Sequence, residues 1–262
     1  MSKMKQPQQG ALIWHSTLEL ILTSMLLFGV TSIVRFVVGP SVVSRAFPQI
    51  HIELLIVGAL VAVLVASLIL SPAGRMSGGH MNPAISLAMW RFGVFPVAGL
   101  LPYVAAQLLG SVIGVLAARA VWGKAVQSEP VLCAVIRPAP AWSPVRLFAA
   151  EFVGMAVIVF LVGYFLSKLQ FAPFVPWLVG VLVGLGISLL GTQTGGSLNP
   201  ARQFGPAFVS GIMAELWVFL IAPMVGAEAG ARLLNVVQKR GHALTHRLCG
   251  TEPDGQPLQV AS

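Results

Sequence analysis

Charged side chains are scarce in this chain. Asp, Glu, Lys and Arg make up 9% of its 262 residues, against about 25% in ordinary soluble domains. That shortage excludes the solvated surface of a soluble domain of this length. Acids are the scarcer half, with 8 Asp and Glu against 16 Lys and Arg. The net charge of +8 does not describe a nucleic-acid binder, because the cations stand singly between apolar runs, with no basic stripe and no interleaved aromatics. Their only local density is in "RLLNVVQKRGHALTHR". Cysteine is nearly absent: Cys133 and Cys249 fall in segments predicted on opposite sides of a membrane, which gives no disulfide framework. No Ser/His/Asp set, metal cluster or phosphate loop coincides with the polar elements, so neither catalysis nor a metal or cofactor is expected.

Long apolar runs are abundant instead. Hydrophobic residues make up 56% of the chain, and runs of about 20 residues are long enough to cross a hydrocarbon core as helices. Length and Gly/Pro punctuation place six spans near 14–38, 51–71, 97–122, 146–167, 174–194 and 213–237. The first is much longer than a signal-peptide core and has no convincing cleavage site, so it reads as a retained span. The segment 123–145, rich in proline, reads as a long extracellular connection between a first repeat (14–122) and a second (146–237), flanked by cytoplasmic ends 1–13 and 238–262. Within the tail, "CGTEPDGQPLQVAS" reads as disordered. Six spans put both termini on one side, which Lys3, Lys5, Lys168, Lys239, Arg240 and Arg247 mark as cytoplasmic. Short termini around a Gly/Ala-rich bilayer domain point to a bacterial plasma membrane.

Two further apolar segments are too short to span. "PAISLAMWRF" (83–92) and "PARQFGPAFV" (200–209) have ten residues each, about 15 Å as helices, or half a bilayer. Each follows a Gly-Gly pair and an Asn-Pro. The halves repeat: "GGHMNPAISL" matches "GGSLNPARQF", Glu19 has a counterpart in Glu151, and Gly110-x-x-x-Gly114 faces Gly226-x-x-x-Gly230. Three spans per half is odd, so the second copy enters the membrane inverted, the pattern that marks a translocation site at the midplane.

Non-helical backbone inside a bilayer is tolerated only where protein packs it or water reaches it. Asn82 and Asn199 are good helix N-caps, and Pro83 and Pro200 suit the first helical position. Two half-helices meeting N-terminus to N-terminus bring together two partial positive charges of about half an elementary charge each. That disfavours cations and leaves the two asparagine amides to donate to a passing neutral oxygen. Arg202, one turn into the second half-helix, has no acid nearby in sequence and must face water or carbonyls.

The paired motifs Asn82-Pro83-Ala84 and Asn199-Pro200-Ala201, their flanks "SGGHMNPA" and "GGSLNPAR.FGP", the Glu19/Glu151 pair and the inverted repeat make the chain resemble the major intrinsic protein family, the aquaporins and aquaglyceroporins, from about Leu18 to Leu234. The resemblance implies an all-α membrane fold of six tilted helices and two re-entrant half-helices. It further implies a homotetramer with one pore per subunit, and a passive path for water and small neutral solutes across the lipid bilayer. Asn82 and Asn199 would be the central donors. Arg202 matches the arginine of the narrow filter, and ungapped counting gives Ala62, Ile187 and Gly196 as its companions. Strict water channels of the family carry Phe and His where Ala62 and Ile187 stand, so a wider filter passing glycerol, urea or an undissociated metalloid acid is expected. Gln203 replaces the Asp usual in glycerol facilitators.

Structural readings stand beside these. Glu19 and Glu151 would brace the re-entrant loops, although ionisable groups within spans are functional candidates. His80 either packs its loop and holds a carbonyl or acts as a pH gate. Glu228 has a partner in Arg232, four residues on. Alternative functions are a strict water channel, an ion-coupled transporter, which would need a titratable group beside the Asn-Pro-Ala segments, and a junctional scaffold.

Overall fold

The computed structural model describes residues 9–238 and 243–258. Its helices are α1 (Gln9–Val37), α2 (Val42–Ala46), α3 (Ile50–Leu70), α4 (Pro72–Ser77), α5 (Pro83–Arg91), α6 (Val97–Trp122), α7 (Lys124–Gln127), α8 (Pro144–Leu166), α9 (Val175–Leu190), α10 (Pro200–Ser210) and α11 (Leu216–Val237). Six of these, α1, α3, α6, α8, α9 and α11, are long and apolar enough to cross a membrane, α9 together with the short 3-10 turn Ala172–Phe174 that precedes it. Between them α5 and α10 are half-length.

One local pattern starts four of the helices. A Ser or Asn precedes a Pro, and its side-chain oxygen takes a backbone N–H of the first turn: Ser71 from Gly74, Asn82 from Ala84, Ser143 from Arg146, and Asn199 from both Ala201 and Arg202. The proline has no N–H to leave orphaned and its φ already suits a helix. Three spans differ from the sequence reading by three residues or more. Helix α1 already begins at Gln9 rather than near 14. Helix α9 stops at Leu190 rather than near 194, because the chain turns back and the Gly195 N–H donates to the Leu190 carbonyl at 3.0 Å. Helix α11 begins at Leu216 because Glu215 sits in the left-handed region at φ 49.

Lipid offers apolar surface as readily as protein does, so spans associate through close packing of small residues. Gly110 and Gly114 of α6 lie on the Leu20 and Ser24 carbonyls of α1, and Gly226 and Gly230 of α11 lie in the same way on the Phe152 and Ala156 carbonyls of α8. A third crossing, α3 on α9, joins the halves: Gly58 and Gly184 face each other's carbonyls, and Gly180 faces that of Ala62. None of these sites has room for a Cβ. The repeated contacts put each half-helix against the opposite half, α5 beside α11 and α10 beside α6.

The tail departs from the sequence reading. Residues 243–258 are not disordered but folded onto the bundle, and only 259–262 of the segment read as disordered lie outside the described residues. Leu248 and Cys249 are each 1% exposed, Gly250 rests on Ala172, and Thr251 bridges to Pro257. A polar composition hides such docking, since a few anchors suffice on a surface already formed.

Candidate functional site

The re-entrant loops are held by two buried carboxylates in matching fashion. Glu19 accepts from the Ser77 hydroxyl at 2.7 Å, the His80 N–H at 2.9 Å and the Met81 N–H at 2.7 Å. Glu151 accepts from the Thr194 hydroxyl at 3.0 Å, the Ser197 N–H at 3.1 Å and the Leu198 N–H at 2.7 Å. Each donor in one loop has its equivalent in the other. Glu19 takes a fourth donor, Gln107 Nε2, at 2.9 Å. Both acids therefore spend their lone pairs on backbone that no helix satisfies.

The residue before each asparagine completes the arrangement. Met81 and Leu198 have φ of 48° and 51°, a region costly for side chains other than glycine. Their N–H groups go to the carboxylates and their carbonyls turn to the opposite loop. Asn199 Nδ2 donates to the Met81 carbonyl at 2.9 Å, and Asn82 Nδ2 donates to the Leu198 carbonyl at 3.0 Å. The Oδ1 atoms cap α5 and α10. An asparagine amide carries two N–H bonds, so one on each residue is committed to the partner loop and one is left to face the path. The expectation that both amides are wholly free is corrected to that extent.

Beside these asparagines runs an enclosed passage. An inner cavity of about 60 Å³ is walled by Leu26 and Val30 of α1, Val61, Val65 and Ile69 of α3, Met155 and Ile158 of α8, and Val179, Val183 and Ile187 of α9, with both asparagines on its polar side. An outer one of about 220 Å³ opens beyond it. Val30, Ile187 and Arg202 line both, which marks the narrowing between them. Gly196 faces the inner cavity at the same level, its φ of +58 and the adjoining Gly186 backbone excluding any side chain.

Ala62 is not on this wall, and that sequence assignment is corrected. It packs against Gly180 and Gly184 where α3 crosses α9. Val61 takes its place on the inner side and Val57 on the outer. From Leu54 to Leu70 helix α3 has a single polar side chain, Ser67, so the neighbour it crosses determines which stripe faces the passage.

Arg202 donates through Nη1 to the Ala134 carbonyl at 2.8 Å. That carbonyl comes from the connection between the halves, at a residue with φ of 60°. Gln203, which the sequence reading noted only for not being Asp, clamps the same connection: the Ile136 N–H donates to its Oε1 at 3.0 Å and its Nε2 donates to the Ile136 carbonyl at 2.9 Å. The arginine thus keeps its charge beside the passage with the head fixed from behind. His80 holds a carbonyl, as the structural reading expected, but one from the tail: Nε2 lies 3.0 Å from the His246 oxygen. Glu228 pairs with Arg91 of α5 as well as with Arg232.

Two half-helices braced by equivalent carboxylates, each asparagine donating to the other loop, stand beside two cavities that meet at a fixed cation, Arg202. The sequence profile of the Major intrinsic protein family matches residues 8–234. The chain belongs to that family. It is a passive membrane channel for water and small solutes. Among its relatives, it is 30% identical over 237 residues to "Probable aquaporin NIP7-1" of Arabidopsis thaliana, covering 88% of this chain and 77% of that one. It is 34% identical over 189 residues to "Probable aquaporin AqpM" of Archaeoglobus fulgidus, covering 70% and 76%. The solved structure of the aquaglyceroporin from Plasmodium falciparum superposes with a TM-score of 0.70 at 22% identity, over 87% of this chain and 97% of that one, which supports the fold.

Proposed function

We propose that this channel passes small uncharged solutes such as glycerol, urea or an undissociated metalloid acid together with water, and excludes ions and protons. The observation that carries the reading is the narrowing itself, where the fixed cation of Arg202 and the absent side chain of Gly196 stand against the apolar Ile187 and Val61. A neutral oxygen gains a donor there, while a cation meets Arg202 and the positive ends of α5 and α10. Val61 makes the opening narrower than one lined by Ala62, yet among the described residues the side chains lining both cavities, Val30, Ile187 and Arg202, offer no second polar group to restrict it to water.

The same proposal includes a homotetramer with a conduit in each subunit, in a bacterial plasma membrane, with the tail side cytoplasmic. Lys3, Lys5, Lys168 and Arg247 support the orientation. Stopped-flow light scattering on proteoliposomes tests the solute range: vesicles shrunk in glycerol or urea should re-swell faster than protein-free ones. Fast water flow with re-swelling no faster than in protein-free vesicles would restrict the channel to water.

A further inference from the structure

The segment 243–258 takes no part in the narrowing at Arg202, yet it is built into the other end of the passage. Leu248 lines the inner cavity beside Ile69, His80 and Ile85. Three bonds place it there. The Leu248 N–H donates to the Gly78 carbonyl at 3.0 Å, the Leu244 N–H donates to the Leu166 carbonyl at 2.9 Å, and His80 Nε2 donates to the His246 carbonyl at 3.0 Å. A carbonyl can only accept, so His80 carries its proton on Nε2, and Nδ1 faces the Ser86 hydroxyl at 3.0 Å. Further along, Gly250 (φ +66) lies so close on the Ala172 carbonyl that no Cβ fits, and Arg75 reaches the Thr251 hydroxyl at 3.5 Å.

We propose that residues 243–258 form a cap on this mouth of the conduit, that Leu248 is the side chain that closes it down, and that detaching the segment raises flow. The proposal rests on the channel reading above. Its physical basis is scale: a water needs about 10–15 Å³ of such space, and the cavity that Leu248 helps to wall has about 60 Å³, room for only a few waters, so the size of one lining side chain matters to the flow. An apolar constriction of that kind gates by driving water out of the gap. The seat is also releasable, because docking buries His246 Nδ1 with no hydrogen-bond partner among the described residues, a loss recovered when the segment meets water.

Three variants in proteoliposomes test this by water permeability per channel. Leu248→Ala removes the closing side chain, Gly250→Val forces the segment off Ala172, and a chain ending at Gln238 lacks it. If the cap is docked in about nine molecules of ten, each change raises permeability by about tenfold over the full chain; Leu248→Trp should lower it. Size-exclusion profiles identify any variant that fails to fold, and should the shortened chain do so, the two point substitutions decide. Equal flow in the full chain and all folded variants overturns the cap. No flow above protein-free vesicles in any form overturns the channel reading, and the cap with it.

Discussion

Glu151→Gln is the sharpest perturbation of the architecture that holds the path. In the native protein one carboxylate oxygen receives Thr194 and the Ser197 N–H, and the other receives the Leu198 N–H. A glutamine can keep one of these oxygens and must present an NH₂ in place of the other, a donor facing a donor. Placed to keep Thr194 and Ser197, it strands the Leu198 N–H, a buried loss of about 1–3 kcal/mol. Glu151→Ala strands both backbone groups and costs about 2–6 kcal/mol on the same scale. The damage reaches function through Leu198, whose left-handed backbone aims its carbonyl at Asn82 Nδ2. Melting temperature in detergent should fall in the order native, Gln, Ala, and water flow in reconstituted vesicles should fall with it. Glu19→Gln should be hurt at least as much, since Gln107 supplies a fourth donor there. A Glu151→Gln protein that melts and conducts like the native one would refute the brace.

Other consequences are independent of the brace. Gly184→Val drives a side chain into the Gly58 backbone across the α3–α9 crossing and should cost about 1–3 kcal/mol or more, read as a lowered melting temperature. Ile187→His adds a donor and bulk at the narrowing, so glycerol re-swelling should drop by about tenfold or more while water flow persists. Burial holds His246 well below the usual histidine range, and His80, His15 and Arg247 around it each act against its protonation. A group kept neutral when docked favours docking fully above the free value of about 6.5 and loses that preference as pH falls through it. Water flow should therefore rise on acidifying the tail side below about 6.5, and the rise should vanish in the chain ending at Gln238.

Much of this was legible in the sequence, for physical reasons that differ between residues. The half-helix starts could be read from Asn82-Pro83 and Asn199-Pro200, because capping and the missing proline N–H are local chemistry. Glu19 and Glu151 could be singled out because an acid within an apolar span needs a partner, although their donors could not be named. Ala62 was misplaced because α3 offers apolar residues on every side, and the choice between Ala62 and Val61 is made by α9, which no spacing within α3 reveals. The Gln203 clamp depends on where the distant Ile136 folds back, and the sequence shows only that Gln203 is not Asp. The left-handed Met81 and Leu198 carried no signal at all, since neither residue type favours that backbone. The tail from Cys249 on was misread because its average polarity outweighs its few anchors, the buried Cys249 and the Gly250 backbone seated on Ala172.

Water flow across reconstituted vesicles is the most direct measurement of the central claim, made on the full chain and on Leu248→Ala over a range of temperatures. A passive path predicts shrinkage in an impermeant osmolyte that outpaces protein-free vesicles, with a temperature dependence close to that of free diffusion and no accompanying proton leak. Shrinkage no faster than that of protein-free vesicles in both proteins would contradict it.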